Sequence, residues 1–187
     1  MCYKSRPQTV SLWRACVTER YLAQNGPVQM KHEHVKVAVA GASKPGVEHV
    51  PAFRISHDEW QLQRSPLYAT EVAAGDVIRV RNGETGEFEI VTRGGNVCVQ
   101  VYLGASDADN AEATAKIAKA ILHEIELLGG WMDGQTPGLI AFTMPVAVGF
   151  PAIERVFTAA ADRYPGAQWQ YSNVYDPVTG APLGWWK

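Results

Sequence analysis

The 187-residue sequence predicts an α+β chain in which a small bent antiparallel β unit precedes a β-α-β-α-β (ferredoxin-like) half. Three observations carry that prediction. Asn82-Gly83-Glu84-Thr85-Gly86 stands between two strand-like runs and marks a hairpin, because Asn and Gly accept the positive φ that tight turns impose. Ile117, Ile121, Leu122, Ile125 and Leu128 recur at spacings of three and four, which puts them on one face of a helix. At Gly94-Gly95 the period changes, and from there strand-like and helix-like runs alternate.

Residues 1–29 show no clean period. Val10, Leu12, Trp13, Val17 and Tyr21 suit a short amphipathic helix ending at Asn25-Gly26-Pro27, and the segment is expected to be an N-terminal extension. The β-rich half spans 30–96. Val35 to Ala40 alternates as a half-buried strand, and residues 41–51, with Gly41, Pro45, Gly46 and Pro51, read as a loop. The next strand begins at Phe53 or Glu59, with Trp60 and Leu62 alternating with polar neighbours until Ser65-Pro66. Gly75-Asp76 then turns the chain into Val77, Ile78 and Val80, and Glu87 to Val91 returns after the hairpin.

The second half spans 97–187 and is expected to pack with the first as one compact unit. Val97, Val99, Val101 and Leu103 form one face of a strand, and a helix follows from about Ala108 to Leu128, stopped by Gly129-Gly130. A Gly-rich, Pro-containing loop leads to the apolar run Leu139 to Met144. A second helix begins near Pro151 and carries Ile153, Val156, Phe157, Ala160 and Tyr164 on one stripe, and Trp169, Tyr171 and Tyr175 fill a last strand.

Glu59-Trp60, Pro66-Leu67-Tyr68-Ala69, Gly75-Asp76-Val77-Ile78 and Gly94-Gly95-Asn96-Val97 together resemble the pattern of bacterial domain-of-unknown-function family 4265. The likeness runs from about Val35 to Tyr175, and Asn96 stands where such members usually carry His. It implies a fold and no activity.

Composition bounds the function. At 47% hydrophobic and 19% charged the chain has the makeup of a globular domain, and no run approaches the roughly 18 apolar residues of a membrane helix. The net charge of −2 hides an asymmetry, since residues 1–29 hold Lys4, Arg6, Arg14 and Arg20 against Glu19 alone. The acidic body disfavours nucleic acid, whose phosphates require Lys and Arg. Cys2, Cys16 and Cys98 form no Cys-x-x-Cys pair and suit a reducing compartment, and Arg6, Gln8, Arg14 and Glu19 interrupt every secretory apolar region, so the expected location is the cytoplasm.

Motifs with catalytic or metal-binding looks fail on inspection. His32-Glu33-His34 puts two imidazoles on one side of a strand but lacks the further ligands zinc requires, and His123-Glu124 is followed by Leu127 where a zincin has its second His. Gly41 to Gly46 fits neither a nucleophile elbow nor a phosphate loop. Cys98 lies mid-strand among apolar residues, as a buried thiol does. No cofactor or metal is expected.

Asp107, Asp109 and Glu112 cluster where the main helix begins, either to complement its dipole or to face a basic partner. Asp133 and Trp131 sit in the Gly-rich loop, and Trp185 and Trp186 near the end, in positions that suit interface anchors. The leading expectation is therefore a non-enzymatic protein-binding inhibitor, an immunity protein that occludes the active site of a bacterial toxin with a basic cleft. Its expected partner-binding residues are Asp107, Asp109, Trp131, Asp133, Trp185 and Trp186. The alternative is a small-ligand binder or enzyme with a cleft between the halves, using Tyr102, His57 and Asp76.

Overall fold

The structure is a computed structural model that describes residues 32–39, 46–176 and 178–187. The expectations for the 1–29 extension and for the motif at Gly41 to Pro45 lie outside the described residues. Lys31–Lys187 is one compact unit.

Strands β1 (His32–Val39), β2 (Gly46–Arg54), β3 (Glu59–Leu62), β4 (Val77–Asn82) and β5 (Glu87–Thr92) form an antiparallel meander in sequence order. Asn82 Oδ1 accepts from the Glu84 and Thr85 amides at 2.9 and 3.2 Å, and Gly86 takes the expected positive φ of 72°, which fixes the hairpin. Gly86 also closes the sheet on itself. Its carbonyl accepts from the Ala38 amide at 2.9 Å, and a Cβ there would stand 2.8 Å from the same nitrogen. The curl buries Val35, Val37, Val50, Ala52, Leu62 and Ile78 inside.

One stretch differs from its sequence reading: residues 46–51 continue a strand although Pro51 reads as a breaker. Pro51 is tolerated because its main chain faces Gln63, one residue beyond the end of β3, and its carbonyl still accepts the Gln63 amide at 2.8 Å.

The second half is ferredoxin-like, as expected, but with one strand more. β6 (Asn96–Tyr102), α1 (Ala111–Glu126), β7 (Trp131–Thr136), β8 (Leu139–Pro145), α2 (Phe150–Arg163) and β9 (Gln168–Tyr171) run β-α-β-β-α-β, with spatial order β7-β8-β6-β9 and every neighbour antiparallel. The added strand is β7, read from sequence as loop. Its glycine-broken pattern reflects a register shift between Met132 and Gly134, where the ladder bulges.

Both helices cover one face of this sheet. Val97, Val99, Val101, Ile140, Phe142 and Met144 meet Ile117, Ile121, Ile125, Ile153 and Phe157 there. Among the described residues no helix is long and apolar enough to cross a membrane.

Candidate functional site

The other face of the second sheet is polar and equally buried. Segment 63–76, between β3 and β4, lies across it. Ser65 Oγ accepts from the Ala74 amide at 3.0 Å and stands 2.5 Å from Thr143 Oγ1, which donates to Asp133 Oδ2 at 2.5 Å. Trp131 Nε1 donates to Asp133 Oδ1 at 3.0 Å, and Arg64 donates to the Asp133 carbonyl at 3.0 Å. Gln100 Nε2 donates to the Leu67 carbonyl at 2.7 Å. Ser65, Gln100, Thr143 and Asp133 thus each have a fixed partner, which is what burial of polar atoms demands.

Burial raises the Asp133 carboxyl to about 7, against the lowering pull of Thr143, and pushes the Cys98 thiol up to about 12. Cys98 is therefore the inert thiol the sequence suggested. Asp133 corrects an expectation: at 5% exposure it is an interior hydrogen-bond hub, unavailable to a partner. Carboxylates are rarely buried, so its sequence context pointed outward.

Asp76 corrects another. It has no exposed surface, and its carboxylate accepts from the Gly94 amide at 2.6 Å, the Ala73 amide at 3.0 Å and Arg93 at 3.1 Å. Burial raises its pKa, opposed by the Gly94 amide and Arg93. Gly94 packs so tightly that a Cβ on it would lie 2.3 Å from the Gly75 carbonyl carbon. The Gly75-Asp76 step thus pins the start of β4 to the start of β6 and lines no cleft.

Of the other expected residues, Trp185 and Trp186 pack on the core. Trp185 Nε1 donates to the Asn173 carbonyl at 2.8 Å beneath the Arg93 guanidinium, and Trp186 meets Phe150 edge-on at 5.2 Å. Trp131 is 37% exposed at the start of β7. Asp107 and Asp109 lie in the loop before α1, but neither caps it: Asn110 does, accepting from the Glu112 and Ala113 amides at 3.1 and 3.0 Å. The six residues therefore fall in three separate places. His32 is held by Gln63 at 2.9 Å and by the Phe53 ring, and no group of three or more His, Cys, Asp or Glu among the described residues is placed to hold a metal ion.

A groove of about 600 Å³ opens where the two sheets meet. Leu67, Tyr68, Tyr102, Leu103, Pro137 and Leu139 line it, and Ala108 places the loop of Asp107 and Asp109 at its rim. Tyr68 and Tyr102 keep 50% and 39% of their surface exposed. Tyr68 is held from behind, because Glu48 takes the amides of Leu67, Tyr68 and Ala69 at 2.7, 2.8 and 3.1 Å. Tyr102 is fixed by its hydroxyl, which donates to Gln100 Oε1 at 3.0 Å. The groove is thus apolar, aromatic and rigid, with carboxylates beside it. Sequence reading missed Tyr68, whose one visible sign is an aromatic placed two residues after Pro66.

No curated protein matches this chain. Among solved structures it is similar to a hypothetical protein from Neisseria gonorrhoeae described as a novel crystal structure, with a TM-score of 0.57 and 11% identity over 78% of this chain and 96% of that one. At that identity the likeness is one of fold alone. The family model described as Domain of unknown function (DUF4265) matches residues 48–166, which take in the Glu48 clamp, the Gly75-Asp76 pin, the acidic loop and both helices, and the chain belongs to that family.

Proposed function

We propose that this chain is a non-enzymatic protein-binding inhibitor, specifically an immunity protein that neutralises a bacterial toxin by covering its active site. The observation behind this reading is the apolar groove with exposed Tyr68 and Tyr102 and an acidic loop at its rim. Exposed tyrosines held rigid from behind lose little entropy on binding, which is the quality that makes aromatic residues interface anchors. Carboxylates at the edge add long-range attraction for a basic cleft. The acids and the thiol that catalysis would recruit, Asp76, Asp133 and Cys98, are spent on internal hydrogen bonds or sealed by burial.

The test is binding kinetics against any toxin domain found encoded beside this gene, over a range of ionic strength. Asp107→Asn with Asp109→Asn slows association severalfold and flattens its salt dependence, whereas Tyr68→Ala speeds dissociation by about tenfold or more. An association rate indifferent to salt, or a toxin domain that stays active with a stoichiometric amount of this protein, defeats the reading. The groove volume also falls within the range of small-molecule sites, which favours a ligand binder or enzyme as second reading. A small molecule retained through native mass spectrometry, or turned over by the purified chain alone, moves the weight there.

A further inference from the structure

We propose that the open edge of β9 is a self-pairing surface, on which a second copy of this chain adds its own β9 antiparallel across a two-fold axis at Gln170. The strand shares no residue with the tyrosine groove, so the inference stands apart from the inhibitor reading. Main-chain hydrogen bonds alternate along an antiparallel strand, one residue facing its partner strand and the next facing away. The Ser172 amide donates to the Cys98 carbonyl at 3.0 Å, and the ladder sets Gln170 opposite Gln100 and Gln168 opposite Tyr102. Gln168, Gln170 and Ser172 therefore face β6, and the N–H and C=O groups of Trp169 and Tyr171 face outward. Among the described residues nothing bonds to those outward groups. Main-chain groups left open at a sheet edge are a template for a further strand.

The other edges of the two sheets are blunted. β1 and β5 meet where the Ala38 amide reaches the Gly86 carbonyl at 2.9 Å. β7 bulges between Met132 and Gly134, and Arg64 takes the Asp133 carbonyl there at 3.0 Å. β9 carries no such device. Gln168-Trp169-Gln170-Tyr171 holds no charge, no Pro and no Gly, and its register with β6 is unbroken. Trp and Tyr are also residues that a pleated strand favours.

The edge is complementary to itself, which selects a second copy as its occupant. A two-fold axis at Gln170 sets Trp169 opposite Tyr171 of the second copy and Tyr171 opposite its Trp169, so every outward N–H meets an outward C=O. Both aromatic side chains lie on the helical face, where Trp169 already meets Tyr171 of its own chain edge-on at 5.3 Å, and the pairing adds a cross-strand aromatic contact in each direction. The Gln170 side chains meet at the axis on the polar face. Each is uncharged and steadied by its donation to Gln100 Oε1 at 3.0 Å and to Tyr102 Oη at 3.2 Å. Glu154 and Asp176 line the same concavity as β9, so the two copies bring like charges together. The dimer is therefore weak, and salt strengthens it by screening that repulsion.

Sedimentation velocity of the full chain from about 5 to 500 μM should show a monomer–dimer equilibrium that tightens severalfold as NaCl rises from about 50 to 500 mM. In amide hydrogen exchange followed by NMR over the same concentrations, Trp169 and Tyr171 gain protection as the dimer fills, while Gln168 and Gln170, already bonded to β6, keep theirs. A disulfide tests the register. Residues that face β6 form the close pairs of the new ladder, so the two Gln170 Cα atoms stand about 4.5 Å apart, within disulfide reach. Gln170→Cys, in a chain that also carries Cys2→Ser and Cys16→Ser, gives a covalent dimer under mild oxidation. Gln168→Cys in the same background does not, because its Cα lies about 14 Å from that of its own copy.

A native chain that stays monomeric at about 500 μM overturns the proposal, as does an association that weakens with salt. So does protection that grows elsewhere but not at Trp169 and Tyr171, or a Gln168→Cys chain that crosslinks as readily as Gln170→Cys. Sedimentation and exchange are read on the native chain, so they decide the matter even where Gln170→Cys, which gives up the bonds to Gln100 and Tyr102, folds poorly.

Discussion

The two faces of the β6–β8 sheet are buried to the same degree by opposite means. On the helical side Val97, Val99, Phe142 and Met144 are covered by apolar side chains alone. On the other side Cys98, Gln100 and Thr143 meet segment 63–76 through hydrogen bonds to Pro66, Leu67 and Ser65. Apolar packing is non-directional and tolerates repacking, whereas each buried polar atom needs its own partner in position. The helical side therefore holds the second half together, and the polar side fixes where the β-rich half sits upon it.

The most severe way to break that seam is Asp76→Ala, which leaves two buried amides unpaired and takes from Arg93 its carboxylate partner. A loss of about 3–5 kcal/mol is expected in chemical denaturation, comparable to Phe157→Ala on the apolar face. Asp76→Asn costs less, since its side-chain oxygen still accepts from Gly94 or Ala73. If Asp76→Ala stayed within about 1 kcal/mol of the native protein, the seam would be ornamental and the apolar face would hold the fold alone.

The same contrast explains what could be read in advance. The stripe through Ile117, Ile121 and Ile125 and the run Leu139 to Met144 announce themselves because apolar burial leaves a local period. The polar face leaves none: beside its neighbour Trp131, the partners of Asp133 are Thr143, ten residues away, and Arg64, 69 residues away. Its sequence neighbourhood, Gly130 to Pro137, carries loop residues, so both strand β7 and its buried acid were misread together. The candidate groove was legible in part, at its rim as Asp107 and Asp109 and in its lining as Tyr102. Its floor joins Tyr68 to Tyr102, which only the folded chain brings to one surface.

A finer probe of the polar face is pH. The folded protein raises the Asp133 pKa from 3.8 to about 7, so the native state retains a proton that the unfolded chain has released. Stability from this group is complete below about pH 4, falls as pH rises toward 7, and is level above that, a change on the order of 4 kcal/mol. Asp76 is also raised by burial and slopes the same way, so the informative quantity is the difference between native and Asp133→Asn melting curves. That difference should change between pH 4 and 7 and be constant from 7 to 9. A constant difference across the whole range would mean that Asp133 is ionised in the folded state despite its burial.

The smallest effect tests the boundary between scaffold and surface at the groove's rim. Asn110 accepts two amides at the start of α1 and its own amide reaches the Asp107 carbonyl at 3.1 Å, so the cap and the acidic loop are one continuous turn. Asn110→Ala removes the cap's side-chain acceptor and should cost about 1 kcal/mol, read as a lower denaturation midpoint at unchanged slope. Asp109 is exposed and its side chain caps nothing, so Asp109→Asn should stay within about 0.5 kcal/mol of native. If Asp109→Asn instead cost as much as Asn110→Ala, the acidic loop would be part of the helix start, and its charges could not be assigned to a partner. If Asn110→Ala alone were costly, the rim would be a surface that binding can use without any toll on the fold.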